Sequence, residues 1–125
     1  MYVAETHTGR LWAWDLAGPG EVRSLHGSLA VRHGGTCLAA TPFSFDSLAV
    51  EEDGRIVIGG IADGIVVITP DGEEAEVHPI PGEITTNVAF GGPDGRRAVI
   101  TLSRSGGIAE ASWPRPGLVV GPPGA

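Results

Sequence analysis

Apolar and polar positions alternate along this chain in short runs, cut repeatedly by Gly, Pro and Asp-Gly pairs. Such period-two alternation marks half-buried strands, and the Gly/Pro punctuation marks the turns between them. Residues 10–16 show the pattern plainly, with Leu11, Ala13 and Asp15 on one side and Trp12, Trp14 and Leu16 on the other. Strands are expected at 2–5, 10–16, 46–50, 55–59, 64–69, 75–80, 85–90, 97–102 and 107–112, with a short outer strand at 21–25. Residues 26–44 leave room for one strand but carry no clear pattern, and the regular alternation ends near Pro114. No helix is expected.

The strands repeat as a unit. The stretch that opens at Asp46 and turns at Asp53-Gly54-Arg55 returns as Thr86-Asn87-Val88-Ala89-Phe90-Gly91-Gly92-Pro93 followed by Asp94-Gly95-Arg96, 41 residues later. A spacing of roughly 40–45 residues with about four strands per unit is the mark of β-propeller blades. The first sixteen residues fit the same template, with Tyr2-Val3-Ala4 aligning with Ile56-Val57-Ile58 and Gly9-Arg10-Leu11 with Gly64-Ile65-Val66. The fold expected is all-β, a partial propeller of about three blades over residues 1–114: an incomplete blade at 1–44, a full blade at 45–82 and a third at 83–114. Residues 115–125 are an irregular Pro/Gly-rich tail. Closed propellers have typically four to eight blades, so this count does not close a ring.

Composition narrows the function classes. A net charge of −7 argues against nucleic acid and anionic membrane as partners, because both need a basic surface. Lone Cys37 has no internal disulfide partner and reads as a small buried apolar residue. Residues 1–6 lack the basic-then-apolar order of a secretory signal, and no apolar run approaches the ~20 residues of a membrane helix. A cytoplasmic location is the expectation.

Three stretches together, Tyr2-Val3-Ala4-Glu5-Thr6, the Asp46 strand with its Asp53-Gly54 turn, and Thr85-Thr86-Asn87-Val88-Ala89-Phe90-Gly91-Gly92, resemble one family. It is the family of senescence marker protein, gluconolactonase and luciferin-regenerating enzyme, which are six-bladed propellers. The resemblance runs from Tyr2 to about Pro114 and corresponds to the C-terminal half of such a protein. It implies a hydrolase that opens sugar lactones, using one divalent metal, Ca or Zn, at the mouth of the axial channel. The family holds that metal with a Glu, two Asn and an Asp, and only the Asp has a counterpart here, Asp46. By resemblance Asp46 is both metal ligand and catalytic group, polarising a metal-bound water and accepting its proton as that water attacks the lactone carbonyl.

Other residues read more plainly. The internal repeat puts Asn87 at the blade position of Asp46, pointing to the channel mouth, where a hydrogen-bonding role behind the ligands is the reading. Thr86 beside it, like Thr85, reads as structural first and as a substrate contact second. Glu51-Glu52-Asp53 and Glu73-Glu74 flank turns and read as solvated charge. Trp12 and Trp14 share a strand face and read as packing between neighbouring sheets, with stacking on a sugar ring as the other possibility. The four His are scattered without zinc-like spacing, and Gly59-Gly60 and Gly91-Gly92 lack the Lys and the helix of a phosphate loop.

Two classes of function stay open. One is a metal-dependent lactonase that completes its ring with further chain or with another copy. The other is a non-catalytic half-propeller that keeps the blades without the site. Self-association through the open propeller edges is expected in either case.

Overall fold

A computed structural model describes residues 1–23, 33–118 and 120. Among them are twelve strands and no helix: β1 (Tyr2–Glu5), β2 (Arg10–Ala13), β3 (Leu16–Gly18), β4 (Glu21–Val22), β5 (Thr36–Ala40), β6 (Leu48–Val50), β7 (Ile56–Gly59), β8 (Ile65–Ile68), β9 (Ala75–His78), β10 (Thr85–Gly91), β11 (Arg97–Leu102) and β12 (Gly107–Ser112). They form antiparallel sheets in the orders β1-β2-β5, β6-β7-β8-β9 and β10-β11-β12, with β3-β4 as a separate hairpin. The chain is all-β, three successive sheets stacked as propeller blades are, with no closed ring.

The middle sheet shows why. In β7 and β8 every residue is buried, and alternation sends Ile56, Ile58, Val66 and Ile68 to one face and Val57, Ile65 and Val67 to the other. The first face meets Leu11, Ala39 and Phe45, and the second meets Val88, Ala98, Ile100 and Trp113. Two separate cores therefore flank one sheet. Each fully buried Val or Ile contributes roughly 1.5–3 kcal/mol. The outward faces of the flanking sheets stay wet, with Val3 41% and Ile108 69% exposed.

Pairing reproduces the sequence repeat. The Leu48↔Ile58 pair of β6–β7 recurs as Ala89↔Val99 in β10–β11, and Ala49↔Val57 recurs as Phe90↔Ala98. The first sheet departs from the expected layout. Its third strand is β5, in the stretch without clear pattern, whereas Glu21–Val22 pairs only with β3. Arg23 N–H donates back to the Asp15 carbonyl at 2.8 Å, and residues 24 and 25 of that expected strand lie outside the described residues. The strand that 26–44 had room for could not be placed from sequence, because Thr36-Cys37-Leu38-Ala39-Ala40 offers small side chains and little apolar contrast; Cys37, expected to be buried, is exposed there.

After β12 the chain turns back toward the middle sheet as a strap. Trp113 N–H donates to the Arg96 carbonyl at 2.7 Å, and Gly117 N–H donates to the Gly95 carbonyl at 2.9 Å. Glu51 and Gly117 form an antiparallel bridge. At Gly117 a Cβ would sit 2.0 Å from Phe90 Cγ, so only glycine lets the strap lie this close. The strap is tied down by Glu51, which is 0% exposed. One Glu51 oxygen accepts the Trp113 indole N–H at 2.6 Å, and the other accepts Arg115 Nε. Arg115 also reaches the Glu76 carboxylate on β9 at 2.9 Å, and the hydrogen bond to Glu51, foremost, raises the Arg115 pKa.

The reading of Glu51 as solvated charge is corrected here: Glu52 and Asp53 are exposed, but Glu51 is wholly enclosed. A buried carboxylate with two donors becomes costly when lost, since its partners stay behind unpaired. Glu51→Ala is expected to lower unfolding free energy by roughly 3 kcal/mol. Glu76→Ala, at a half-exposed position, is expected to cost under about 1 kcal/mol. Urea denaturation of the two variants checks the ranking, and equal losses would refute the clamp.

On the outward face of the first sheet, Trp12 Nε1 donates to Glu5 at 2.9 Å. That bond, and then the Thr8 hydroxyl, hold the Glu5 carboxyl below its ordinary value. A depressed carboxyl stabilises above its unfolded pKa and stops doing so as pH falls through the folded one. Acidification below the usual Glu range is thus expected to loosen Trp12, seen as an indole fluorescence change that Glu5→Gln lacks.

Candidate functional site

The three positions singled out at the channel mouth sit on one rim, where the starts of β6 and β10 meet. Phe45 is fully buried in the first core and anchors the chain just before the exposed Asp46. Asp46 N–H donates to the Gly59 carbonyl at 2.9 Å, and Gly59 N–H donates to the Ser47 carbonyl at 3.0 Å. Ser47 N–H then donates across to the Thr86 carbonyl at 3.0 Å, which joins the second sheet to the third. Glycine is required at 59, because a Cβ there would stand 2.8 Å from the Thr86 carbonyl carbon.

The same rim holds a strained turn. Ile61 has φ 52°, a left-handed conformation that is a genuine outlier for a β-branched residue. It is held by a reciprocal pair of backbone bonds with Thr85, at 3.1 and 2.9 Å. Thr85 is 0% exposed and its hydroxyl donates to the Gly64 carbonyl at 2.6 Å. The Thr86 hydroxyl shares a hydrogen bond of 2.8 Å with that of Thr101. Asn87 follows an irregularity in the β10–β11 register, and its Oδ1 accepts the Val88 N–H at 2.8 Å. Asn87 thus engages its own backbone, while Asp46 presents an exposed carboxylate.

Among the described residues no group of three or more His, Cys, Asp or Glu converges. A hard divalent cation such as Ca²⁺ takes six to eight oxygens, so the described residues do not make a metal centre by themselves. The expected packing of Trp12 and Trp14 between sheets is also revised. Both lie half-buried on the outward face of the first sheet, around His33, whose ring meets Trp12 edge-on at 4.8 Å. Trp14 Nε1 donates to the His33 carbonyl at 3.0 Å. His26 lies outside the described residues.

Sequence reasoning missed Glu51, Trp113 and Arg115 as one unit. A signal was present: Glu51 continues the alternation of β6 on the side of Ala49, where an inward residue belongs. Its partners stand 62 and 64 positions away, beyond any local pattern.

Comparison with known proteins bears on the whole assembly. No curated protein matches the chain. Among solved structures, the crystal structure of a candidate gluconolactonase superposes with TM-score 0.59 at 26% identity, covering 94% of this chain and 39% of that one. The chain therefore spans well under half the length of this relative. The model of the SMP-30/gluconolactonase/LRE-like region matches residues 1–104, which takes in the first two sheets, Asp46, Asn87 and the whole of β11. On that match, the chain belongs to the SMP-30/gluconolactonase/LRE-like family.

Proposed function

We propose that this chain forms part of a hydrolase for lactones or related carboxylic esters, with Asp46 as its contribution to the reacting centre. The observation that carries the reading is the exposed Asp46 carboxylate at the start of β6, within a chain matched to the family over residues 1–104. The rim bonds through Gly59, Ser47 and Thr86 fix the backbone that bears it. What this chain's own residues can do there is hold a proton or offer one anionic oxygen, with Thr86 and Asn87 alongside as lesser contacts to substrate or ligand.

A divalent metal, Ca²⁺ or Zn²⁺, would supply Lewis-acid chemistry at such a centre. Donors beyond those described here would be needed to hold it, from further propeller sectors or from a second copy packed on the open sheet faces. The lone carboxylate also favours a second reading, in which the chain is a non-catalytic sector that requires a partner. No helix among the described residues is long and apolar enough to cross a membrane; cytoplasmic residence is part of the proposal.

Metal titration by calorimetry tests Asp46 directly. The chain by itself is expected to bind Ca²⁺ or Zn²⁺ no more tightly than about millimolar, as ligand number and charge set the constant. Asp46→Asn is expected to abolish that binding. Micromolar affinity retained in Asp46→Asn would overturn the assignment. The purified monomer is expected to show no chelator-sensitive lactone hydrolysis. In any assembly that does hydrolyse, Asp46→Asn should lower kcat roughly 10²-fold or more.

A further inference from the structure

We propose that the inner edges of β6 and β10, walled at one side by the C-terminal strap, form a cleft for the aliphatic tail of the substrate. This rests on the hydrolase reading above and narrows it to lactones or esters bearing a hydrocarbon chain rather than polyhydroxylated sugar lactones.

The cleft has a volume of about 410 Å³ and is lined by residues 48–50 of β6, residues 88–90 of β10, Leu118 and Val120. That volume falls within the usual range of about 300–1,000 Å³ for small-molecule sites. Successive side chains of a strand point to opposite faces, so a cavity touching three in a row on each of two strands runs along their edges. Among the named strands β6 pairs with β7 alone and β10 with β11 alone, so among the described residues their inner edges stay open between the Ser47–Thr86 bond at the rim and the strap bond at Val50. Neighbouring inner strands of a propeller present such edges to the axis.

The side chains that line the cleft are apolar throughout. Leu, Ala, Val and Phe supply every side chain of it. A ring carrying several hydroxyls would give up its hydrogen bonds to water there without side-chain replacements, whereas a hydrocarbon would gain from burial. Position supports the pairing of head and tail. The cleft begins at Leu48, two residues beyond Asp46, or roughly 7 Å along an extended strand. From there it follows β6 away from the rim. A ring held at Asp46 would therefore send a substituent straight into it.

The far wall is the C-terminal strap. Leu118 N–H donates to the Val50 carbonyl at 2.8 Å, and Glu52 N–H donates to the Pro116 carbonyl at 3.0 Å, so the strap pairs with the end of β6. Residues 113–118 lie beyond the family-matched span 1–104. Tail selection would then depend on a segment outside that span, anchored by Glu51.

A homologous series of δ-lactones with alkyl side chains, δ-hexalactone through δ-dodecalactone, is to be titrated into the full chain and followed by NMR, with glucono-1,5-lactone as comparator. Affinity is expected to rise roughly threefold to fourfold per added methylene. Glucono-1,5-lactone should not displace the alkyl ligand. Leu118→Asp and Ala89→Arg alter exposed positions on opposite walls. Each is expected to weaken δ-dodecalactone about tenfold, comparable to losing two buried methylenes, while Leu118→Met retains binding. Affinity independent of tail length, or equal binding by wild type and both charged variants, overturns the proposal. Since the readout is binding and not turnover, tail-length dependence in the chain, with an assembly that hydrolyses lactones at a rate Asp46→Asn leaves unchanged, would sink only the hydrolase reading. Hydrolysis without tail-length dependence would sink only the cleft.

Discussion

A sheet that is apolar on both faces cannot stand alone in water, and the architecture follows from that constraint. β7 and β8 carry Ile and Val at all but one position, so the middle sheet demands a cover on each side. Leu11 and Phe45 come from one direction, and Val88, Ile100 and Trp113 from the other. Among the described residues the two cores share no residue, so each flanking sheet packs on its own face of the sheet between them. The rim bond from Ser47 to β10 is then a by-product of core packing: burying Val57 against Val88 brings the strand starts together.

The clamp at Glu51 works on different physics. Burial of a carboxylate is unfavourable unless each oxygen finds a donor, and here Trp113 and Arg115 supply them. Such a group contributes specificity of placement more than raw stability. It selects one path for residues 113–118, back over β6, from the many a Pro-rich segment could take. The cleft along β6 and β10 inherits its far wall from that choice.

How far the sequence foretold this depended on range. Strands whose neighbours in sequence are also neighbours in space, β6 through β12, were visible because alternation and Asp-Gly turns are local signals. β5 was not, since it pairs with β2 across the β3–β4 hairpin and the residues between and is built of small side chains. Asp46 was singled out by family resemblance together with the internal repeat, and its local context alone resembles any strand-leading Asp. Asn87 shares its repeat position yet bonds its own backbone, a difference that depends on the β10 register and not on residue type. The Glu51 clamp and the edge cleft were illegible because each needs the strap in place against β6.

The left-handed backbone at Ile61 carries a thermodynamic consequence. A non-glycine residue in that region costs on the order of 1–2 kcal/mol, repaid here only while Thr85 of the neighbouring sheet completes both of its bonds. The loop bearing it is thus spring-loaded by the docking of β10. Separation of the third sheet would release residue 61 to a relaxed conformer, shift the adjacent Gly59, and slacken the scaffold beneath Asp46. Integrity of the carboxylate's perch and adhesion between two sheets are, in this molecule, a single coupled equilibrium.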